Sequence, residues 1–404
     1  MLLVTDGEQR SALAVVRSLG RAGVPVAVGA SSPHSLAGSS RYCVKELHYP
    51  SPHKSAPDFQ HFIAEEIARG GYRMLIPMTD VTVRLVAEMR DDIPGNLIVP
   101  MPSAEVVRQS QDKAYVLALA QRLRIPCPRT VTPEENEDVR EAARHLPFPV
   151  VIKSRFSHFY QDGHWRLGRV QYASNPEELA ARYRESSQNI PKPLVQEKLT
   201  GEGLGVFMLI WNGRLKGAFC HRRLREKPPW GGVSVYRESV CLDETLMAQS
   251  AALLQELGWQ GVAMVEFKMD PRDRVAKLME VNGRFWGSLQ LAVDAGADFP
   301  LMLYRLACGE NVPAQFKYRV GIKSRWLLGD LDHLLISMRN PEALNGSAPR
   351  SRLHALMQFL KFYEPGIRYE VFRMGDPRPG WFESKSYVET MLKNLTKGGR
   401  GSIC

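Results

Sequence analysis

The chain has few cysteines and lacks any long apolar run. Its six cysteines are scattered through 404 residues, without the paired spacing of a metal site or the density of a disulfide framework: Cys43, Cys127, Cys220, Cys241, Cys308 and Cys404. No apolar run approaches the roughly 20 residues that a transmembrane helix needs. The N-terminus also lacks the basic start and long apolar core of a signal peptide. These absences predict a cytoplasmic protein with reduced thiols and no transmembrane segment.

The glycine-rich fingerprint of dinucleotide-binding folds is missing as well. The first predicted strand runs into Thr5-Asp6-Gly7-Glu8, which carries a single glycine and is too polar for that motif. This argues against a nicotinamide cofactor. The net charge of +10 favours anionic partners, but basic and acidic residues are interleaved along most of the chain. Since no nucleic-acid-binding motif is found, a nucleotide explains the excess more economically than nucleic acid, and an ordinary basic surface accounts for most of it.

Residues 1–102 alternate short apolar runs with helical patterns. Strands are predicted at 2–5, 24–28, 74–78 and 96–99, and helices at 11–19, 58–68 and 81–89. This β-α-β order predicts a parallel sheet with helices on its faces. Ligands of such sheets lie at the carboxyl ends of the strands, where Arg41 and Asp80 are candidate substrate contacts. Ordinary helix capping is the alternative for polar residues there, such as Thr5 and Ser39.

The rest of the chain divides into three further segments. Residues 103–200 combine helices with a buried strand that ends at Lys153, and residues 201–315 combine long strands with helices. Residues 316–404 have the composition of a basic, partly helical tail. The whole order predicts an α/β protein with an N-terminal parallel sheet, two further lobes and a C-terminal tail.

The most informative stretch is a predicted β-hairpin between residues 265 and 287. If Asp270 lies opposite Ala276, Glu266 lies opposite Glu280 on the neighbouring strand. Because side chains alternate along a strand, Glu280, Asn282 and Arg284 share one face. Two carboxylates and an amide are ligands that Mg²⁺ accepts together with phosphate oxygens, and Arg284 could hold a phosphate by bidentate hydrogen bonds. A solvated hairpin with an ion pair across it is the alternative, which the adjacent Phe285-Trp286 disfavours.

Two lysines and one mixed strand add to this pattern. Lys153 ends an apolar strand, where a bare ammonium must either reach water or meet an anion. Lys113 begins a predicted helix and, taken alone, is typical of a surface residue. The segment 194–199 joins an apolar strand to polar edges, which suits adenine. Arg223, in an arginine-rich strand, and Ser234 could hold a carboxylate or acyl phosphate, with a solvated charged strand as the alternative.

These residues, in this order, resemble the ATP-grasp superfamily. The resemblance rests on Lys113, Lys153, the 196–199 segment, Glu266 and the Glu280 to Arg284 run, and it spans about residues 1–312. The chain is similar to carboxylate–amine ligases, D-aspartate ligase-like proteins, and the ATP-grasp modules of biotin carboxylase and carbamoyl-phosphate synthetase. The resemblance implies a Rossmann-like pre-ATP-grasp domain at 1–102, a small lobe with linker helices at 103–200, a large lobe at 201–315 and a basic C-terminal extension at 316–404.

The resemblance also implies roles for individual residues. The phosphates of ATP would be contacted by Lys113 and Lys153, and adenine would lie along Gln196, Glu197, Lys198 and Leu199. Glu266, Glu280 and Asn282 would hold Mg²⁺, with Mn²⁺ as a substitute, and the two carboxylates would thereby touch ATP. Arg284 and Lys153 would act in catalysis, and Arg223, Ser234, Asp80 and Arg41 would contact substrate. The implied reaction converts a carboxylate to an acyl phosphate, which an amine or another nucleophile then attacks, releasing ADP and phosphate.

Some features leave alternatives open. Where many members of the superfamily carry a small Gly/Ser-rich flap over the phosphates, this chain has the bulky stretch 154–165, in which Ser154 or Ser157 could contact ATP. A catalytically silent nucleotide-binding regulator or scaffold is the alternative to a ligase, and a nucleic-acid binder that uses the basic tail is a third hypothesis. The tail could also form a homodimer contact or touch a membrane surface.

Overall fold

The computed structural model describes residues 1–134, 137–339 and 352–396. Its N-terminal part is a four-stranded parallel sheet. Its strands are β1 (Leu2–Val4), β2 (Val26–Ala30), β3 (Cys43–His48) and β4 (Met74–Ile76), and their order is β3-β2-β1-β4. The accompanying helices are α1 (Arg10–Arg21), α2 (Ala56–Ala68) and α3 (Asp80–Glu88), followed by a 3₁₀ turn (Arg90–Asp92). The predicted parallel sheet is therefore confirmed.

Two strands of this sheet differ from the prediction. Strand β3 was not predicted, because none of its residues is fully buried and several of its side chains are polar. The strand predicted at 96–99 is reduced to a single bridge between Ile98 and Met74.

The small lobe is an antiparallel sheet reached through two linker helices. The linker helices are α4 (Ala104–Gln111) and α5 (Lys113–Arg122). The lobe contains β5 (Thr130–Val131), α6 (Val139–Ala142), β6 (Val150–Lys153), β9 (Val170–Ala173), α7 (Pro176–Asn189) and β10 (Leu194–Glu197), with strand order β5-β10-β6-β9. Between β6 and β9 the bulky stretch forms a separate hairpin of β7 (His158–Gln161) and β8 (His164–Leu167), here called the flap.

The large lobe is built on a seven-stranded sheet. Its first elements are β11 (Gly203–Trp211), β12 (Arg214–Lys227), β13 (Val233–Ser239), α8 (Glu244–Glu256), β14 (Gly261–Met269), β15 (Ala276–Asn282), α9 (Leu289–Ala295) and α10 (Phe299–Ala307). After these come β16 (Lys323–Arg325), α11 (Leu327–Arg339), α12 (Arg352–Phe359), β17 (Ile367–Tyr369) and α13 (Arg378–Thr396). The strand order is β15-β14-β11-β12-β13-β16-β17.

The C-terminal segment is helical, as predicted, but it is not a separate tail. Strand β16 pairs antiparallel with β13, and β17 pairs parallel with β16, so both extend the large sheet across the predicted boundary at 315. The sequence pattern does not predict β16, because Lys323-Ser324-Arg325 is a short run of polar residues. The charge of Arg325 is buried beside Asp330, which its Nε contacts at 2.6 Å.

One apolar core joins the N-terminal sheet to the large lobe. Leu2 and Val4 of β1 belong to the same buried cluster as Phe207 of β11, Phe285 and Trp286. A second cluster places Val116 of α5 against the large-lobe strands β11 and β14. The carboxyl edge of the parallel sheet is thereby fixed beside the predicted hairpin. Within the described residues, no helix is both long and apolar enough to cross a membrane.

Candidate active site

The β14–β15 hairpin places two carboxylates opposite each other. Glu266 pairs directly with Glu280, as the sequence predicts. The predicted turn register is wrong by one residue, because Met269 rather than Asp270 lies opposite Ala276. An irregularity between Glu266 and Phe267, which leaves Met279 as an extra residue on β15, restores the Glu266–Glu280 pair.

Cations surround the two carboxylates. Arg223 Nη2 donates to Glu266 Oε2 at 2.5 Å, and Lys113 Nζ lies 3.3 Å from Glu280 Oε2. Burial and the neighbouring charge of Glu280 raise the pKa of Glu266 against the effect of Arg223. Burial acts in the same direction on Glu280, but the charges of Lys113 and Lys153 outweigh it and lower the pKa of Glu280. The two carboxylates of the pair therefore lie in different electrostatic environments.

The two predicted lysines come from different elements and meet at this site. Lys153, the last residue of β6, donates from Nζ to Gln196 Oε1 at 2.8 Å. Burial and the charge of Lys113 lower the pKa of Lys153 to about 8. Lys113, the first residue of α5, donates from Nζ to Ser157 Oγ at the base of the flap at 2.8 Å. Ser157 is one of the two serines that the sequence analysis considered as ATP contacts, and this hydrogen bond places it at the site.

A cleft of about 710 Å³ joins these groups. Its volume lies within the range of small-molecule sites. The cleft wall includes these predicted residues: Lys113, Lys153, Arg223, Ser234, Glu266, Glu280, Asn282 and Arg284. The buried Oγ of Ser234 has no hydrogen-bond partner among the described residues.

The oxygen donors of the hairpin fit a magnesium ion. Within the described part of the chain, no group of three or more His, Cys, Asp or Glu side chains could hold a metal. Mg²⁺ does not require such a group, because it binds through one or two carboxylates plus phosphate oxygens and water. Glu266 and Glu280 would supply the carboxylates, and Asn282, whose Nδ2 donates to Glu280 Oε1 at 3.1 Å, would supply an amide oxygen.

Protein partners occupy most of the side chains in the segment predicted to line adenine. Gln196 receives the Lys153 hydrogen bond and donates from Nε2 to Thr130 Oγ1 at 2.6 Å. Glu197 accepts hydrogen bonds from the Arg129 backbone and from Arg272 Nη2, both at 2.9 Å.

The last two residues of this segment also have neighbours within the protein. The Lys198 ammonium lies 5.0 Å from the centre of the Tyr172 ring, and the Leu199 carbonyl accepts from Lys268 Nζ at 3.5 Å. Adenine binding along Gln196 to Leu199 stays a prediction, and it would rest on backbone groups.

The proposed substrate contacts separate into two groups. Asp80, at the start of α3, is brought to the hairpin, where it accepts two hydrogen bonds from Arg284. Arg41 is not brought to the cleft, which corrects the prediction. Its backbone N–H donates to Asp376 Oδ1 at 3.0 Å and its Nη1 to the Gly375 carbonyl at 3.4 Å. Arg41 precedes β3 and therefore lies at the amino end of the parallel sheet, where the C-terminal segment contacts it.

Sequence reasoning missed how the flap is anchored. The Trp165 backbone N–H donates to the His53 carbonyl at 3.4 Å, and the Arg84 guanidinium lies 5.2 Å from the centre of the Trp165 ring. The flap therefore docks on the N-terminal domain while its base lines the cleft through Ser157 and Leu167. The aromatic character of Trp165 was the one available signal, but its partner could not be identified from the sequence.

Comparisons with known proteins agree with this architecture. Residues 189–328 match a family model described as ATP-grasp in the biosynthetic pathway with Ter operon. The chain is 22% identical over 311 residues to the arginine-specific large chain of carbamoyl phosphate synthase from Cutaneotrichosporon cutaneum, covering 71% of this chain and 25% of that protein. The chain thus spans about a quarter of the length of this curated relative.

Two solved structures are similar in fold. The biotin carboxylase domain dimer of 2-oxoglutarate carboxylase from Hydrogenobacter thermophilus, in complex with MgADP and bicarbonate, aligns with a TM-score of 0.63 at 14% identity, over 80% of this chain and 73% of that one. The L-amino acid ligase from Bacillus licheniformis aligns with a TM-score of 0.57 at 13% identity, over 76% and 73%.

The chain shares its fold with ATP-grasp proteins, and its residues 189–328 match an ATP-grasp family model. The resemblance to the ATP-grasp superfamily is therefore confirmed. Within that superfamily, the central segment of the chain matches the family associated with the Ter operon.

Proposed function

We propose that this protein is an ATP- and Mg²⁺-dependent ligase that activates a carboxylate as an acyl phosphate and joins it to an amine, releasing ADP and phosphate. The observation that carries this proposal is the pairing of Glu266 with Glu280 beside Lys113 and Lys153. Oxygen ligands for a metal and cations for phosphates then line the same cleft. The relative in complex with MgADP supports the choice of nucleotide and metal, and Mn²⁺ could take the place of Mg²⁺.

The charged side chains of the cleft can exchange their ion-pair partners for a metal ion and phosphate when a ligand binds. Arg223 forms an ion pair with Glu266, and Lys113 forms one with Glu280. A metal ion bound by the two carboxylates and Asn282 would supply positive charge to the phosphate oxygens. The released lysine and arginine cations can then bind phosphate, where charge-assisted hydrogen bonds are strong.

The proposed reaction has two steps. A carboxylate oxygen of the substrate attacks the γ-phosphorus, the bond from that phosphorus to the bridging oxygen breaks, and ADP leaves with the electron pair. The amine nitrogen then attacks the acyl carbon, the bond from carbon to the phosphate oxygen breaks, and phosphate leaves while the nitrogen loses a proton to solvent. The chain's contribution is positioning and charge neutralisation, which phosphoryl transfer chiefly requires.

Individual residues have separate tasks in this scheme. Lys153 and Lys113 hold the phosphates, and Arg284, fixed by Asp80, steadies the phosphoryl group in transfer. Arg223 and Ser234 contact the carboxylate or acyl phosphate from β12 and β13. The docked flap excludes water, which would otherwise hydrolyse the acyl phosphate.

A screen of acids and amines for ADP and phosphate release tests the proposal, followed by mass spectrometry of the product. We expect release with one acid–amine pair, and its loss in Glu280→Ala and Lys153→Ala while circular dichroism is unchanged. Glu256→Gln, which alters an exposed carboxylate at the end of α8, is the control. Unchanged turnover in both site variants would overturn the site assignment, and ATP binding without turnover across the panel would favour a catalytically silent regulator.

A homodimer is part of the proposal, and sedimentation analysis tests it.

A further inference from the structure

A second cavity, here called the rear chamber, adjoins the cleft. Its volume is about 1080 Å³, and it is lined by residues of the N-terminal domain, the flap, the large lobe and helix α13. Asp80, His158 and Arg284 lie in its wall, and Arg284 also lines the cleft. A small molecule in the chamber can therefore approach the place where Arg284 would steady the transferred phosphoryl group, and His158 stands beside that route.

The flap brings His158 to this junction. His158 is the first residue of β7 and follows Ser157, which accepts the hydrogen bond from Lys113. Together with Lys113 and Asn282, it lines a small gap beside the cleft. Its ring also packs against His53 of the N-terminal domain, with the ring centres 5.6 Å apart. The docking of the flap on this domain thus holds the imidazole next to the proposed active site.

Asp80 lies close enough to orient the imidazole while it holds Arg284. The Nδ1 of His158 is buried, has no hydrogen-bond partner among the described residues and lies 3.9 Å from Asp80 Oδ2. The negative charge of Asp80 favours a proton on Nδ1, which leaves Nε2 unprotonated. Because the side chain is still 24% exposed, the ring edge away from Asp80 is open to the chamber. Catalytic hydrogen bonds are often long without substrate and shorten when it binds.

We propose that His158 is the general base of the ligation step, whose Nε2 accepts the proton of the attacking amine and passes it to water in the rear chamber. This inference rests on the proposed ligase function and gives it a further catalytic residue. In an acyl phosphate, a single oxygen separates the acyl carbon from the phosphorus that Arg284 would hold. The carbon under attack therefore lies near Arg284, and Asp80 is close to both side chains. A Gly/Ser-rich flap has no group for this task, so the assignment is particular to the bulky flap of this chain.

The proton transfer belongs to the step that forms the amide. Attack by the amine forms the bond from nitrogen to the acyl carbon and leaves a positive charge on the nitrogen. The Nε2 of His158 takes a proton from that nitrogen, and the electron pair of the N–H bond returns to it. The bond from carbon to the phosphate oxygen breaks, and phosphate leaves with that electron pair. The imidazolium then gives its proton to water.

The surroundings of His158 keep the ring neutral, as a base must be. Burial lowers the pKa of His158, and the neighbouring His53, Arg284 and Lys113 lower it further, while the charge of Asp80 raises it. Since the pKa lies below the ordinary value of about 6.5, the imidazole is unprotonated at neutral pH. Amide formation should therefore decrease as the pH falls below about 6.5, where the base becomes protonated.

Trapping the acyl phosphate separates the two steps of the reaction. Mono- and dicarboxylic acids are incubated with ATP, Mg²⁺ and either hydroxylamine or a primary amine. Hydroxylamine converts acyl phosphates to hydroxamates without a general base, so it reports the first step alone. We expect His158→Gln to form hydroxamate at a rate close to that of the wild type but amide roughly 100-fold more slowly, as the loss of a general base costs. His61→Gln, at a side chain of α2 that is 77% exposed, is the control and should match the wild type in both assays.

Chemical rescue distinguishes a catalytic imidazole from a structural one. His158→Ala leaves a gap that opens to the chamber, so added imidazole should restore amide formation and leave hydroxamate formation unchanged. Three results would sink the inference: wild-type amide formation in His158→Gln, an equal loss of hydroxamate and amide, or no rescue of His158→Ala by imidazole. If the wild type forms no hydroxamate with any acid, the ligase proposal fails and the inference falls with it. Hydroxamate formation by the wild type together with any of the three results refutes the role of His158 alone.

Discussion

Asp80 of the N-terminal domain fixes Arg284 of the large lobe. Arg284 Nε donates to Asp80 Oδ1 at 2.7 Å, and Nη2 donates to Oδ2 at 3.2 Å. The same Nη2 donates to Asn282 Oδ1 at 3.2 Å, which connects Asp80 to the proposed metal ligands. The parallel-sheet domain therefore supplies an anchor for a residue of the ATP-grasp cleft.

Replacing Asp80 should slow the chemical step more than it weakens nucleotide binding. Asp80→Asn loses the charge in its hydrogen bonds to Arg284, which are worth roughly 1.5–3 kcal/mol when one partner is charged. We expect kcat to fall roughly 10- to 100-fold with KM for ATP nearly constant, and Asp80→Glu to restore part of the rate. Steady-state kinetics measures both constants. A large increase in KM with kcat unchanged would contradict this positioning role.

Removing one proposed metal ligand should separate metal-dependent from metal-independent nucleotide binding. At a concentration 100 times its Kd, a ligand stabilises the folded state by about 2.7 kcal/mol. We expect MgADP to give this stabilisation to the wild type and to lose most of it with Glu266→Gln, because the metal loses a carboxylate. Chemical denaturation with Mg²⁺ or with EDTA measures the effect. ADP with EDTA should act equally on both proteins, and a Mg²⁺ effect retained in the variant would argue against the ligand assignment.

Nucleotide affinity should depend on pH through Lys153. Burial and the charge of Lys113 lower the pKa of Lys153 to about 8, and only the protonated ammonium attracts phosphate. The Kd for a non-hydrolysable ATP analogue should therefore increase as the pH rises through about 8. In Lys153→Arg the increase should disappear, since a guanidinium stays protonated in this range. Titrations in matched buffers decide the matter, and identical pH profiles for the two proteins would exclude Lys153 as the cause.

Loosening the flap should uncouple ATP hydrolysis from ligation. Trp165→Ala removes the contact with Arg84 that docks the flap. We expect faster hydrogen exchange in the backbone of β7 and β8, and more ADP released for each molecule of ligated product, because water reaches the acyl phosphate. Trp381→Ala, at a tryptophan that is 76% exposed on α13, is the control. Faster exchange without a change in the product ratio would show that the flap does not protect the intermediate.

Much of the fold was predictable where local patterns are strong. The parallel sheet follows from apolar runs separated by helical patterns, and the hairpin follows from two strands around a turn. The elements that escaped prediction have weak local signals. Strand β3 contains no buried residue, and β16 is three residues long with a buried arginine whose charge Asp330 neutralises.

The amino-acid sequence by itself determined that Glu266 and Glu280 would meet, because strand alternation and a short turn fix which side chains share a face. Only the tertiary structure decided that Asp80 would hold Arg284, 204 residues away, and that Arg41 would turn to Asp376 instead of the cleft. Periodicity specifies which face of an element is apolar, but it carries no information about which distant loops pack together. The proposed metal ligands can therefore be predicted from the sequence, while the anchors of the site depend on the packing of whole domains.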